Sequence, residues 1–220
     1  APKCEMLVLD VYHSFMARPF SLKALQNDVY VLGGGYKYLQ SGEGVCFLYT
    51  PPKADRLRPK NTGWYAHFES LGDRPSALCD YGHGAWRFWG ASFDPSGLYR
   101  LRAVLNFFDR ESLTAETIHR RSIDLQEHCL EILGMIPAKQ EWLARLKEAS
   151  EQVVAKADRG NFLSFPLQAG EARRVQDELS RRGVLCDSRE SSTQSFLRFG
   201  FGLYHDIEDL AFLAERLSQP

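Results

Sequence analysis

Lys37 stands between two tyrosines in the stretch Asp28 to Tyr49, DVYVLGGGYKYLQSGEGVCFLY, after three glycines and between two apolar, strand-like runs. Desolvation among aromatic and apolar side chains disfavours an ammonium ion, and the neutral amine that results can form a Schiff base with an aldehyde. The plain alternative is a solvated lysine beside a glycine turn, since lysine is rarely buried without a partner. Asp10 ends the apolar run MLVLD, and His13 follows three residues later. In an open α/β sheet the carboxyl ends of strands face the ligand crevice, where a carboxylate can pair with a protonated ring nitrogen. A turn or helix N-cap aspartate is the alternative for Asp10. Lys37 follows the next strand, so the carboxylate and the amine are expected on one edge of the sheet.

Further along, Arg198 lies in SFLRFGFGLYHD with apolar residues on both sides. A guanidinium there needs a partner, either the α-carboxylate of a substrate, which suits its two-pronged geometry, or a structural carboxylate at Asp187 or Glu190. Tyr36 could donate to a phosphate or relay a proton, whereas Tyr38 reads as packing. Ser92, in GASFDPSG, could also donate to a phosphate, although by itself it is a turn residue. His, Cys and Asp do not gather at metal-ligand spacing, and no GxSxG or P-loop occurs. GGGYK lacks the third, helix-opening glycine of a dinucleotide fingerprint.

The elements that must carry these residues are legible from periodicity. Strands are expected at Met6 to Asp10, Val29 to Gly33 and Val45 to Tyr49, followed by a loop-rich, aromatic stretch from Pro51 to about Gly97. From Leu98 the pattern turns helical. A second, long amphipathic helix starts after Thr114 as N-cap, with Thr117 where a capping box would place Glu or Gln, and stops at Gly134 and Pro137. A helix over Glu141 to Ala155 follows. Then come a strand at NFLSFPL, a helix starting near Ala169 to Glu171, a strand at VLCD, a strand at SFLRFGF and a final helix from Ile207 to Leu217. The fold class is therefore α/β, with a larger unit over residues 1–105 and a small α+β domain over 106–220.

MLVLD reads as a parallel strand buried on both faces, which needs neighbours. Its closeness to Ala1 and the lack of an initiator Met lead to the expectation that the chain is the C-terminal part of a longer protein, a short independent domain being the alternative. The formal net charge of −1 offers no basic field for nucleic acid or an anionic membrane, so neither is expected as a partner. The five cysteines are odd in number, widely spaced, mostly inside apolar runs and without a CxxC pair, as expected of reduced core residues. No apolar run approaches the length of a membrane span, and APKCEMLVLD has no signal-peptide h-region, so the cytoplasm is the expected compartment.

The ordered motifs D-V-Y-H, G-G-Y-K-Y-L, G-W-x-x-H, R-F-x-G-x-S-x-D-P-S-G-L-Y, G-V-L-C-D-x-R and L-R-F-G-F-G-L-Y run through nearly the whole chain. Together they resemble the class V branch of the fold-type-I pyridoxal-phosphate enzymes, and within it kynureninase and its relatives. The resemblance implies the C-terminal part of a large domain with a mixed, mostly parallel sheet, then the small domain. It implies pyridoxal 5'-phosphate as cofactor, Lys37 as its Schiff-base lysine, Asp10 as partner of the pyridinium and His13 close to the ring. Tyr36 matches a tyrosine that contacts the phosphate and can protonate the substrate. Trp64 matches a tryptophan that reaches the phosphate from a neighbouring subunit, so a homodimer is implied; Ser92 falls where a Ser or Thr does similar work. Arg198 matches the arginine that holds the amino-acid carboxylate.

The resemblance has departures. Kynureninases carry S-N-P where this chain has Ser92, Phe93 and Asp94, which bears on the pocket for the aryl group. The family's upstream elements, a phosphate-binding turn, a ring-stacking aromatic and a second Asp, are not in these residues, so an upstream segment of the same protein is expected to be required. None of the five cysteines falls in the loop before Arg198, where one desulfurase branch carries its nucleophile. The implied reaction is kynureninase-like hydrolytic C–C cleavage. Alternatives are a class V aminotransferase, lyase or epimerase and, from another class, a catalytically incomplete domain that binds a partner chain.

Overall fold

Short apolar runs broken by turn residues build the first sheet. β1 (Leu7–Asp10) pairs in parallel with β2 (Val29–Gly34), from Leu7 opposite Val29 to Asp10 opposite Leu32. β2 pairs antiparallel with β3 (Cys46–Tyr49), giving a mixed sheet in the order β1-β2-β3. The computed structural model describes residues 4, 6–73 and 78–219. The chain divides into two compact units, Ala1–Leu113 and Thr114–Pro220.

In the first unit, the buried side chains of Val11, Val29 and Val31 form a small cluster under Leu9, Phe15, Phe47 and Tyr49. β1 differs from the expectation of a strand buried on both faces: Leu7 and Val8 are 47% and 48% exposed. The reason is its position, since β2 is its one strand partner among the described residues. The triple glycine is likewise not a turn. Gly33 and Gly34 belong to β2 and lie opposite Phe47 and Cys46. A Cβ on Gly34 would collide with the Tyr12 ring, and one on Gly35 with the Ser41 hydroxyl, so these positions are small because side chains from elsewhere fill the space.

The loop-rich stretch contains three short 3-10 turns, Pro52–Arg56, Trp64–Ser70 and Gly84–Phe88. Buried Arg87 ties the third to the first, donating to the carbonyls of Asp55 (2.6 Å) and Leu57 (2.7 Å) and to the Asp55 carboxylate (3.1 Å), and also donates to Gly82 O (3.1 Å). The Gly84 N–H, helped by the charges of Arg87 and His83, holds the Asp55 carboxyl below its ordinary range against the opposing effect of desolvation. α1 (Ser96–Arg110) begins two residues before the expected Leu98. The Asp94 carboxylate accepts from Ser96 N (2.9 Å) and Ser96 Oγ (2.6 Å), satisfying the helix start from just outside it.

The second unit opens with α2 (Ala115–Met135), where Thr114 Oγ1 accepts from Thr117 N at 3.2 Å, in keeping with its expected place as N-cap. α3 (Glu141–Ser150) ends five residues before the expected Ala155. β4 (Phe162–Gln168), α4 (Glu171–Arg181), β5 (Asp187–Glu190), β6 (Gln194–Gly200) and α5 (Ile207–Ser218) complete it. The strands form an antiparallel sheet in the order β4-β6-β5. Leu133, Leu143, Phe165, Leu179, Leu197 and Leu217 belong to one continuous core shared by helices and sheet. The strand expected at VLCD starts instead at Asp187: Leu185 is 88% exposed, and pairing begins only where Asp187 meets Arg198. Among the described residues no helix is long and apolar enough to cross a membrane.

Candidate active site

The parallel register of β1 and β2 sets the site. Asp10 ends β1 level with Leu32, so the chain leaves both strands at the same edge. After β1, Val11 N donates to Leu32 O (2.8 Å) and the chain turns back through Phe15 N to Val11 O (2.8 Å), carrying His13 at the turn. After β2, Gly35 N donates to Val45 O (2.9 Å), Gln40 N to Lys37 O (3.0 Å) and Ser41 N to Gly35 O (2.8 Å), closing a tight loop on which Lys37 stands. These turns bring Lys37 Nζ within 2.7 Å of His13 Nε2 and 5.4 Å from the centre of the Tyr36 ring. Lys37 is half-buried, neither the fully solvated lysine of the plain alternative nor a sealed one.

Asp10 is exposed at this edge, and its Oδ1 accepts from Tyr12 N at 2.9 Å. The turn role considered for it is therefore present, and it uses one carboxylate oxygen. Tyr36 is 42% exposed and leans on the Tyr12 ring, centroids 5.7 Å apart. Tyr38 packs edge-on to His13, centroids 6.4 Å apart. Tyr12 OH donates to Cys46 Sγ (3.0 Å), and this bond, with burial and neighbouring negative charge, pushes the Tyr12 phenol up to about 12.

Trp64 and Ser92 are also in the first unit, and no hydrogen bond or ring contact among the described residues joins either to Lys37. Trp64 is 41% exposed and stacks on Tyr65 with centroids 4.3 Å apart. Its neighbour Gly63 approaches Gly90 so closely that a Cβ would strike the Gly90 carbonyl, which explains the small residue before the tryptophan. Ser92 lies exposed just before the start of α1.

Arg198 belongs to the second unit, on β6 opposite Asp187 of β5. Its Nε donates to Asp187 Oδ2 at 3.0 Å, its Nη2 bonds the same oxygen, and its guanidinium lies over the Phe162 ring at 5.1 Å. The structural partner considered from sequence is present. A guanidinium has five N–H donors, and among the described residues no hydrogen bond of Arg198 Nη1 is seen. Burial pushes the Asp187 carboxyl up, and the hydrogen bond and charge of Arg198, with Arg189 adding to them, more than offset this and hold it below its ordinary range.

Three participants escape the sequence patterns. Tyr12 lies within DVYH, between Asp10 and His13, and only the nearness of its ring to Tyr36 and Gly34 gives it a part in the site. Cys46 reads in sequence only as one of the reduced core cysteines, yet it and Cys4 are exposed, whereas Cys129 is buried. Arg100, on α1, donates from Nε to Ser41 O and from Nη2 to Glu43 O, holding the segment that follows the Lys37 loop. No spacing rule announces it, because its acceptors are main-chain carbonyls 59 and 57 residues away.

A family model described as Aminotransferase class-V matches residues 3–213. The chain belongs to the class V aminotransferase family. This places it among the pyridoxal-phosphate enzymes of fold type I, as its motifs implied. A kynureninase of Stenotrophomonas maltophilia (strain K279a) is 28% identical over 216 residues, covering 91% of this chain and 47% of that protein. Among solved structures, the apo cysteine desulfurase from Thermococcus onnurineus NA1 superposes with a TM-score of 0.72 at 16% identity, covering 97% of this chain and 52% of that one. The cystine C-S lyase C-DES in complex with cysteine persulfide gives 0.69 at 19% identity, covering 94% and 50%. The class V chain thus spans about half the length of the relatives it matches. At these identities the structural likeness shows the fold, an α/β architecture with a mixed sheet.

Proposed function

We propose that this class V chain serves a pyridoxal-phosphate-dependent enzyme acting on an amino acid, with kynureninase-like hydrolytic cleavage of the Cβ–Cγ bond as its reaction. The observation that carries the reading is the approach of Lys37 Nζ to His13 Nε2 at 2.7 Å, on the sheet edge where Asp10 also ends. The residues fit the cofactor. A primary amine stands half-buried at the edge, a carboxylate is exposed on the same edge with one oxygen committed to a turn, and the Tyr36 ring is exposed next to the amine.

In this reading Lys37 holds the cofactor through its aldehyde, Asp10 pairs with the ring nitrogen, and Tyr36, Ser92 and a neighbouring copy's Trp64 serve the phosphate in a homodimer. When bound, pyridoxal phosphate supplies an electron sink for a carbanion at the substrate α-carbon. The Lys37 amine takes and returns the α proton, and His13, in hydrogen-bond contact with Nζ, orients it and shares that proton. Arg198 uses the guanidinium edge not held by Asp187 to bind the substrate α-carboxylate. Tyr12, kept protonated by its bond to Cys46, stays a neutral wall behind Tyr36.

The kynureninase relative at 28% identity supports the choice of reaction. Two residues favour a second reading, a class V aminotransferase, lyase or epimerase. Asp94 is spent on the start of α1, and Phe93, half exposed with its ring 5.5 Å from Trp89, stands where kynureninases carry Asn. Product analysis with kynurenine and added cofactor separates the readings. Anthranilate and alanine are expected; with a 2-oxo acid added as amino acceptor, a keto acid from kynurenine and the amino acid formed from the acceptor would assign the transaminase reading, and no turnover of any amino acid would leave a partner-binding domain.

A further inference from the structure

The loop that carries Lys37 is anchored at one end by β2 and at the other by its own main-chain bonds together with a side chain from far along the chain. Arg100, on the second turn of α1, donates from Nε to Ser41 O and from Nη2 to Glu43 O. Charged donors bind such carbonyls more strongly than neutral ones. Ser41 passes the restraint on: its N–H bonds Gly35 O at 2.8 Å, and its fully buried side chain fills the space that a Cβ on Gly35 would need. The same segment is shaped to receive α1. Gly42 takes a left-handed φ of 72° where a Cβ would press on Arg100 Nε at 3.0 Å, and a Cβ on Gly97 would meet Val45 at 2.7 Å and Gly44 O at 2.9 Å. Arg100 is therefore linked to the lysine loop by way of Ser41 and Gly35, whereas the loop's own closing bond is Gln40 N to Lys37 O, with Gln40 itself left-handed at a φ of 57°.

We infer that Arg100 is a positioning residue for Lys37: it fixes the loop so that the amine stands within hydrogen-bond reach of His13, and it thereby sets how readily Lys37 reacts with an aldehyde. The reach is short, and a displacement of about 1 Å breaks a hydrogen bond and misaligns a reacting group. The inference rests on the reading of Lys37 as the aldehyde-binding lysine. It concerns a side chain that touches neither the amine nor the cofactor.

The test uses the full-length protein with Arg100→Ala and Arg100→Lys, and reads the rate at which pyridoxal phosphate is trapped on Lys37 by borohydride across a range of pH, the modified peptide being identified by mass. Arg100→Ala is expected to slow trapping by about tenfold, the equivalent of one charged hydrogen bond, and to change the pH profile; Arg100→Lys should fall between it and wild type. Millimolar guanidinium, too dilute to denature, should speed the Ala variant while sodium chloride does not. A folded Ala variant with the wild-type rate and pH profile overturns the inference. So does a loss that tracks a lowered melting temperature in both variants and is not relieved by guanidinium. If the wild type itself yields no adduct at Lys37, the proposed function falls and Arg100's role with it; a wild-type adduct matched by both variants removes Arg100 alone.

Discussion

The edge of the first sheet and the strand pair β5–β6 hold comparable charged groups in opposite ways. At the first edge, Asp10 is exposed, Lys37 is half-buried, and the amine meets the imidazole of His13, a group that can itself gain or lose a proton. Beneath them the buried cluster is three valines. In the second unit, Arg198 is locked onto Asp187 and over Phe162, above a continuous core that runs from Leu125 to Leu217. The difference teaches a division of labour. Apolar burial is deep where the charges are matched, and shallow where the amine meets an imidazole.

The contrast can be broken most severely in the second core. Phe165→Ala removes a fully buried ring that meets Phe199 edge-on at 5.1 Å. It should cost about 3–5 kcal/mol in chemical denaturation; a cost near zero would mean this core does not hold the unit. Next in size, Arg198→Met should cost about 1 kcal/mol, because solvent screens the half-exposed Asp187 and Arg189 remains beside it. Because the Asp187 carboxyl is held below its ordinary range, the pair's contribution is complete above the unfolded carboxylate pKa and is lost as pH falls through the depressed value. Wild type should therefore lose more stability than the Met variant as pH falls below the ordinary carboxylate range. Equal slopes would show that the pair is not coupled to folding.

Asp94→Ala, which strips the cap from α1, should lower stability by a smaller amount in the same titration. Its carboxyl is held low first by the Ser96 hydroxyl and then by the Ser96 N–H, so this contribution too fades in acid. The smallest effect is expected back at the first edge. Leu7→Ala, on the half-exposed face of β1, should change the stability of this chain by less than about 0.5 kcal/mol. A loss rivalling that of Phe165→Ala would erase the distinction between the two regions.

Local signals make much of this architecture readable. Alternating apolar runs locate β1, β2 and β3 to within a residue or so, and Thr114 marks the start of α2 by its side chain alone. Asp10, His13 and Lys37 are legible as one group because parallel strands deliver their carboxyl ends to a common edge, a rule that needs no distances. What escapes depends on partners remote in the chain. VLCD has strand composition, yet β5 is set by register with β6 and begins at Asp187, leaving Leu185 in solvent. The strand expected to end at Gly33 runs on to Gly34, and the Tyr12 ring and the Ser41 hydroxyl that fill the space beside Gly34 and Gly35 cannot be seen locally. Arg87 and Arg100 bind main-chain carbonyls, which carry no residue identity for a sequence pattern to match. The burial expected for β1 fails for a different reason, since composition reports an apolar strand and not how many neighbours it has.

Everything proposed for the first edge turns on Lys37, held beside His13, being the amine that binds the cofactor. The direct measurement adds pyridoxal phosphate to the full-length protein, records the visible absorbance band of a lysine-bound cofactor, then reduces with borohydride and maps the modified residue by mass. The expected result is a band that is abolished in Lys37→Ala and a single modified peptide carrying Lys37. A band that survives the substitution, or a label placed on another lysine, would contradict it.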